Sequence, residues 1–436
     1  MNSIRYGRHL RLMKVLSARW QRRAIFLLGG ITVGASAMLL AKAADWVQYA
    51  FSLFVGHWHY AALVVTPLGF ALSVYLTRRY FPNSQGSGIP QAIAARELSD
   101  QNDRSKLVSM RIAIGKILLT LLGLLCGASA GREGPTVQVG ASIMFAAGRW
   151  SPRRQPGLVL AGAAAGVAAA FNTPLAGIVF GIEEMSRSFE VRTSGLIVSA
   201  VIAAGLTTLG LVGNYTYFGT TPTMLVDGID WLAIPLCGVI GGLAGGLFSK
   251  FVIMMTLGLP GKYGRKLKNA PIFFALICGL GVALCGLASG DLVYGTGYEQ
   301  VKHALESGTP LPESFGLLKL IATSLTAASG IPGGIFAPSL AVGAGIGSIA
   351  THIFHSAPVS AMIILGMVAY FAGVVQAPIT AFVIVTEMTD NHAMVVPVMC
   401  ASVIGYVCSR AICPEGIYHA LAKEFLVGKE TVKHKR

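Results

Sequence analysis

Charge is what this sequence lacks. Asp, Glu, Lys and Arg make up 12% of its 436 residues, about half of the roughly 25% usual in soluble domains. So few charges cannot cover a water-facing surface, and an ordinary soluble enzyme or binding module is excluded. A long polar segment is missing too: the longest, about 83–105, is too short to be a separate domain. Cys126, Cys237, Cys278, Cys285, Cys400, Cys408 and Cys413 are spaced for neither a zinc site nor a disulfide framework, and they read as small core residues. No loop of the GxxxxGK type followed by Ser or Thr occurs, so ATP is not the motor. No metal site is evident, and no cofactor is expected.

Apolar residues are abundant instead, at 54%, with a mean hydropathy of +0.65. A hydrocarbon core about 30 Å thick takes roughly 20 apolar residues of helix to cross. Ala24 to Ala41 is an uncharged run of about that length, and several more follow. Lipid leaves no partner for an open backbone, so spans must be helices or a closed barrel. These runs are rich in Leu, Ala and Gly and do not alternate, which excludes the barrel. The expected fold class is an all-α polytopic membrane protein. A basic start and the triplet Ala41-Lys42-Ala43 imitate a cleaved signal peptide. The apolar stretch is longer than such a region and further spans follow, so an uncleaved first helix is expected.

The formal net charge is +15. Arg5, Arg8, Arg11, Lys14, Arg19, Arg22 and Arg23 precede the first span. Lys262, Arg265, Lys266 and Lys268 lie between two apolar segments, and Lys429, Lys433, Lys435 and Arg436 close the chain. Positive charge marks cytoplasmic loops. The distribution therefore reads as orientation rather than as a nucleic-acid patch, with both termini cytoplasmic and the segments near 214–230 and 291–313 external. The expected division is a basic segment 1–23, a first membrane half 24–213, an external linker 214–229, a second half 230–428 and a tail 429–436.

Helices are expected near 22–54, 58–79, 104–124, 133–149, 153–171, 174–188, 193–213, 230–257, 271–288, 313–329, 335–355, 358–376, 378–389, 394–411 and 418–428. Several are too short to span alone. Short segments broken by Gly and Pro are how transporters build sites near the bilayer midplane. Two halves of similar size, each with broken helices, point to an inverted repeat, although the halves share no strong sequence identity. Gly238, Gly242 and Gly246, like Gly162 and Gly166, recur every fourth residue and read as close helix packing.

Three interruptions share one design: Gly86-Ser87-Gly88-Ile89-Pro90, Gly131-Arg132-Glu133-Gly134-Pro135 and Gly334-Ile335-Phe336-Ala337-Pro338. Each places glycine before a helix and proline in its first turn, where a missing amide is harmless. A helix N-terminus presents free N–H groups and roughly half a positive charge, which suits an anion. Several such ends meeting in mid-membrane would hold a halide by partial charges. A fixed lysine would bind too tightly to let it leave. A fourth interruption, Pro414-Glu415-Gly416-Ile417, leads into Tyr418.

These motifs, in this order and followed by a tyrosine before the last helix, resemble the CLC family of chloride channels and chloride/proton exchangers over nearly the whole chain. The resemblance implies a homodimer with one pore per subunit, an inverted repeat of tilted and broken helices, and chloride and protons as substrates. It assigns a central anion to the hydroxyls of Ser87 and Tyr418 and the backbone amides of Ile335 and Phe336. The motif glycines Gly86, Gly88, Gly131, Gly134 and Gly334 would shape the path. Glu133 would be the gate, Arg132 and Lys116 would add positive potential, and Glu184 would match the inner proton acceptor of the exchangers. Glu387 matches a structural acid of the family.

Elementary physics points the same way for Glu133. An ionisable residue within a span is costly and functional by default. Its carboxylate is itself an anion suited to a helix N-terminus, and protonation releases it. Proton uptake and chloride occupancy are thereby linked through one group. Glu184 has a plainer alternative as a surface partner of Arg187, and Lys116 as a snorkelling lysine. A passive channel of the same family is the first rival function, and the presence of Glu184 favours exchange. Nitrate and fluoride branches of the family depart at the position of Ser87, and fluoride types also at that of Tyr418; both residues are kept here, which favours chloride. An intramembrane serine hydrolase is a remote rival, from Gly127-Ala128-Ser129-Ala130-Gly131 with His352 or His355 as base. The expected location is a bacterial inner membrane.

Overall fold

A computed structural model of the chain describes residues 2–149, 154–186, 191–213, 215–226, 228–258 and 269–433. Among the described residues there are helices and two isolated β-bridges but no strand. The first half comprises α1 (Asn2–His57), α2 (Ala62–Tyr80), α3 (Ile89–Glu97), α4 (Gln101–Ser105), α5 (Met110–Leu125), α6 (Glu133–Ala147), α7 (Gln155–Phe171), α8 (Pro174–Phe180) and α9 (Val191–Val212). A π-helical turn, Gly181–Ser186, extends α8. The second half comprises α10 (Ala233–Leu257), α11 (Pro271–Ser289), α12 (Tyr298–Ser307), α13 (Glu313–Ala328), α14 (Phe336–Ala350), α15 (Val359–Val375), α16 (Pro378–Thr389), α17 (Val395–Ile412) and α18 (Ile417–Lys433).

Among the described residues, five segments are long and apolar enough to cross a membrane: Ala24–His57, Gln101–Leu125, Asp230–Leu257, Pro271–Ser289 and Val395–Ile412. Others are apolar but short. α6 and α14 have 15 residues each, about 22 Å of helix, against a core of about 30 Å. They must therefore begin inside the bilayer thickness, and their first turns need partners there.

Close packing rests on small residues. Gly140 of α6 lies against the Gly162 carbonyl of α7, and Gly343 of α14 against the Gly366 carbonyl of α15. The stripe Gly238, Gly242 and Gly246 of α10 meets Ile404, Gly405 and Ser409 of α17. A side chain at these glycines would separate the helices. α7 and α15 are buried along almost their whole length and form the centre of each half.

The structure differs from the sequence reading in three places. α1 begins at Asn2, so the basic segment continues the first span as helix. Ala41 lies in mid-helix and its carbonyl accepts from Arg132 at 2.5 Å, which makes this segment an integral part of the fold. The stretch 83–105 carries α3, buried from Ile89 to Ala95. Gln91 donates to the Gln85 carbonyl at 2.7 Å, and the buried Arg104 to the Ala95 carbonyl at 3.1 Å. The segment 291–313 also holds a helix, α12. Lys262, Arg265, Lys266, Lys268, Arg187, Lys435 and Arg436 lie outside the described residues.

The halves correspond residue by residue at two levels. Asn172 and Gln376 both end a helix in the left-handed region, with φ of 56° and 58°. Each is followed by an extended residue and a proline that starts α8 or α16. The Glu183 carboxylate, beyond α8, accepts from the amides of Ile379 (3.1 Å) and Thr380 (2.6 Å) and from the Thr380 hydroxyl (2.7 Å). The Glu387 carboxylate, near the end of α16, accepts from the amides of Leu175 (3.1 Å) and Ala176 (2.7 Å). α8 and α16 therefore run antiparallel, each capped by the acid of the other half.

The second level is a pair of buried lysines. Lys116 of α5 donates to the carbonyls of Ser84 (2.7 Å) and Gly86 (2.7 Å). Lys319 of α13 donates to those of Val293 (2.8 Å) and Gly295 (2.8 Å). Each ammonium holds a Gly-x-Gly turn, Gly86-Ser87-Gly88 or Gly295-Thr296-Gly297, whose glycines take positive φ.

Candidate anion site

The three glycine-led interruptions meet at one place. Gly131 and Gly334 exchange both backbone hydrogen bonds at 2.7 Å, as a two-residue antiparallel bridge. Gly86 donates to the Ile331 carbonyl at 3.2 Å and accepts from Gly333 at 3.0 Å. The first turns of α6 and α14 are thus brought face to face, with α3 beginning beside them. Gly134 touches the Ser87 hydroxyl, and a Cβ there would lie 2.9 Å from the Ser87 carbonyl and 3.2 Å from Gly334 Cα. Glycine is required at this crossing by space.

Tyr418 approaches from the first turn of α18. Its ring lies 5.9 Å from that of Phe336, which also packs on Phe171, Phe180 and Phe371. This aromatic cluster fixes the backbone of Ile335 and Phe336 at the start of α14. The Tyr418 and Ser87 hydroxyls face one another without closing a hydrogen bond of normal geometry, and both oxygens are buried. Buried hydroxyls are ordinarily satisfied. Two left without partners beside helix starts are a candidate donor set for an anion.

Glu133 is fully buried on the first turn of α6. Its carboxylate oxygens accept no well-formed bond, and the first-turn amide of Ala337 on α14 faces it. Arg132 turns away toward α1, where it pairs with Asp45 and donates to the Ala41 carbonyl. Tyr217, from the linker, packs on Phe171 and comes close to Arg132 and Glu133.

Lys116 does not snorkel. It is buried, and its ammonium ties down the carbonyls preceding Ser87. A cavity of about 480 Å³ runs from Ser87, Ile335 and Tyr418 to Arg78 on α2, Thr256 on α10 and Pro271 on α11.

Glu184 stands apart from the three loops. It is 3% exposed, on the π-turn, so it is not a surface acid; the alternative partner Arg187 lies outside the described residues. His419, next to Tyr418 on α18, brings Nε2 to 2.9 Å from the Glu184 carbonyl and 3.6 Å from its carboxylate. Tyr418 lies within electrostatic range of both Glu133 and Glu184.

The hydrolase reading fails on geometry. Ser129 pairs its hydroxyl with Thr323 at 2.9 Å. His352 and His355 are exposed, near Glu313 and the Thr351 carbonyl. Sequence reasoning missed Asp45, Glu183, Lys319, Tyr217 and His419. The shared spacing of Asn172-Thr173-Pro174 to Glu183 and Gln376-Ala377-Pro378 to Glu387 would have revealed the paired acids.

Comparison with known proteins places this arrangement. The chain is 32% identical over 468 aligned residues to the H(+)/Cl(-) exchange transporter ClcA of Yersinia pseudotuberculosis, covering 98% of this chain and 93% of that protein. An X-ray structure of a slow cyanobacterial Cl-/H+ antiporter superposes with a TM-score of 0.80 at 25% identity, covering 94% of this chain and 99% of that one. A CLC-type fluoride/proton antiporter shares the fold with a TM-score of 0.77 at 24% identity, covering 93% and 98%. The family described as voltage gated chloride channel matches residues 69–410. With that match across most of its length, the chain belongs to the voltage gated chloride channel family, the CLC proteins.

Proposed function

We propose that this protein exchanges chloride for protons across a bacterial inner membrane. The observation that carries this reading is the meeting of three helix starts around Ser87, Tyr418 and the buried carboxylate of Glu133. Chloride sits between the Ser87 and Tyr418 hydroxyls and the amides of Ile335 and Phe336. Glu133 occupies the next position outward. Ionised, it fills an anion site at the starts of α6 and α14; protonated, it leaves that site to chloride. Arg132 and the buried Lys116 supply background positive potential. The exchanger reading is preferred to a channel because a second buried acid, Glu184, lies on the other side of Tyr418.

Orientation follows from α1. Its basic start is cytoplasmic, and Arg132 meets it at Ala41 and Asp45, far from that end. α9, which follows the π-turn, lies beside α1 with Ala200 and Ala204 against Gly30 and Gly34. Glu184 is therefore inner and Glu133 outer. The cavity below Tyr418 is the cytoplasmic mouth, and both termini are cytoplasmic. The working unit is a homodimer with one path in each subunit, testable by light scattering on the detergent-solubilised protein.

Liposomes holding the protein and a chloride gradient should drive protons uphill. An absence of proton movement alongside chloride flux would leave only the channel. Ser87→Ala and Tyr418→Phe each remove one donor to the anion. Each is expected to weaken chloride binding by about 1 kcal/mol, or roughly fivefold, by calorimetry. Unchanged affinity in both would move the anion elsewhere.

A further inference from the structure

Tyr418 and His419 are neighbours on α18 but serve different routes. Tyr418 closes the cavity that leads to α2, α10 and α11. Neither His419 nor Glu184 lines that cavity. The inner acid thus lies off the lining of the anion mouth, which leaves room for a separate proton route to it. The group placed at Glu184 is the imidazole of His419, with Nε2 3.6 Å from the carboxylate. The side chain of His419 is 12% exposed and that of Glu184 4%, so the ring is the more accessible member of the pair.

Several charged side chains around the pair are engaged elsewhere. Glu183, adjacent in sequence, is committed to the start of α16 through three hydrogen bonds. Glu387 is committed to the start of α8. Arg96, from α3 packed against α18, donates to the carbonyls of Met185 (2.9 Å) and Ser186 (3.3 Å) and to the Ser186 hydroxyl (3.2 Å). It secures the end of the π-turn that carries Glu184. On α18 itself, Lys423 pairs with Glu415. π-turns of this kind frequently mark functional positions because they redirect a side chain out of helical register.

We propose that His419 relays protons between cytoplasmic water and Glu184. The neutral ring holds its Nε2 proton toward the Glu184 carbonyl. A hydronium ion adds a proton at Nδ1 and is left as water. The imidazolium then gives its Nε2 proton to the Glu184 carboxylate, which becomes a neutral acid. The ring, now protonated at Nδ1 alone, returns to its first tautomer by exchanging that proton through water. One proton has entered and one has reached Glu184, with no other bond changed. Histidine suits the task because its charge changes near neutral pH.

The relay rests on the exchange reading, and the two can fail separately. The full chain in liposomes is measured for chloride flux and proton flux together. Absence of proton flux in the unaltered protein would defeat exchange itself. Given coupled wild-type flux, His419→Gln, which keeps a donor for the Glu184 carbonyl but cannot titrate, should lower proton flux at least about tenfold and leave chloride flux within about twofold. His419→Glu, which can titrate, should retain coupling. A merely structural histidine would lower both fluxes together or neither, in either variant. An unchanged proton-to-chloride ratio in His419→Gln, or uncoupling by His419→Glu, overturns the relay. Selective loss of proton flux in His419→Gln separates the relay from a structural role, and uncoupling in His419→Glu overturns the relay on its own.

Discussion

Glu133→Gln is expected to leave chloride moving while proton transport falls to the background of empty liposomes. Glutamine has nearly the shape of the protonated acid and carries no charge. It cannot compete with chloride for the first turns of α6 and α14, so the anion path stays open. It cannot accept a proton either, so nothing carries one past Tyr418. Acid–base groups placed in a reaction contribute roughly 100- to 10,000-fold, and a loss of that order is the expected fall in proton flux. The measurement is paired: chloride efflux by electrode and proton uptake by pH in one vesicle preparation. Coupling that survives in Glu133→Gln would remove the gate from this residue. The alternative role for Glu133, a helix cap, predicts a different result. Loss of a cap lowers stability by about 1 kcal/mol and affects both fluxes alike.

Lys116→Met is the second large effect, and its counterpart in the other half is the control. Both lysines are buried and both hold carbonyls of a Gly-x-Gly turn. Removing either ammonium strands two buried carbonyls, at about 1–3 kcal/mol each. Lys116→Met and Lys319→Met should therefore lower the unfolding temperature to a similar extent. They should differ in transport. On the proposed reading the turn held by Lys116 presents Ser87 to the anion, and Gly88 sits against the Lys116 stem. Its release should cut chloride flux by roughly tenfold or more, the cost of misplacing a donor and losing a nearby charge. The turn held by Lys319 presents Thr296, whose amide is bound by Gln48 at 2.9 Å, away from the anion path. Lys319→Met should transport at near the normal rate per folded molecule. Equal transport losses in the two variants would mean that the lysines act only as ties.

The parts of this site legible in the sequence were those dictated by backbone chemistry. Gly131, Gly134 and Gly334 announce themselves because a helix start with glycine before it and proline within it has few other uses. Glu133 is visible because an acid inside such a break needs a reason. α3 was not legible, since its nine residues hold only a four-residue apolar run, and Gln91 and Arg96 find their partners in carbonyls of the preceding loop and of the distant π-turn. The repeat was hidden for a related reason. It is kept in positions that shape backbone or donate to it, such as Lys116 with Lys319 and Glu183 with Glu387, while the surrounding apolar residues exchange freely. His419 gave no signal in one dimension, because its partner lies 235 positions away and the two meet only through the π-turn.

The crossed grip of Glu183 and Glu387 limits how this molecule can operate. Each acid reaches over the boundary between the halves and takes hold of the opposite chain. Prising the halves apart would tear five hydrogen bonds to carboxylates in one stroke. The grip therefore opposes a large see-saw of one half against the other. On the proposed reading, alternate exposure of inside and outside then falls to small parts such as the Glu133 carboxylate, within a frame held by this grip.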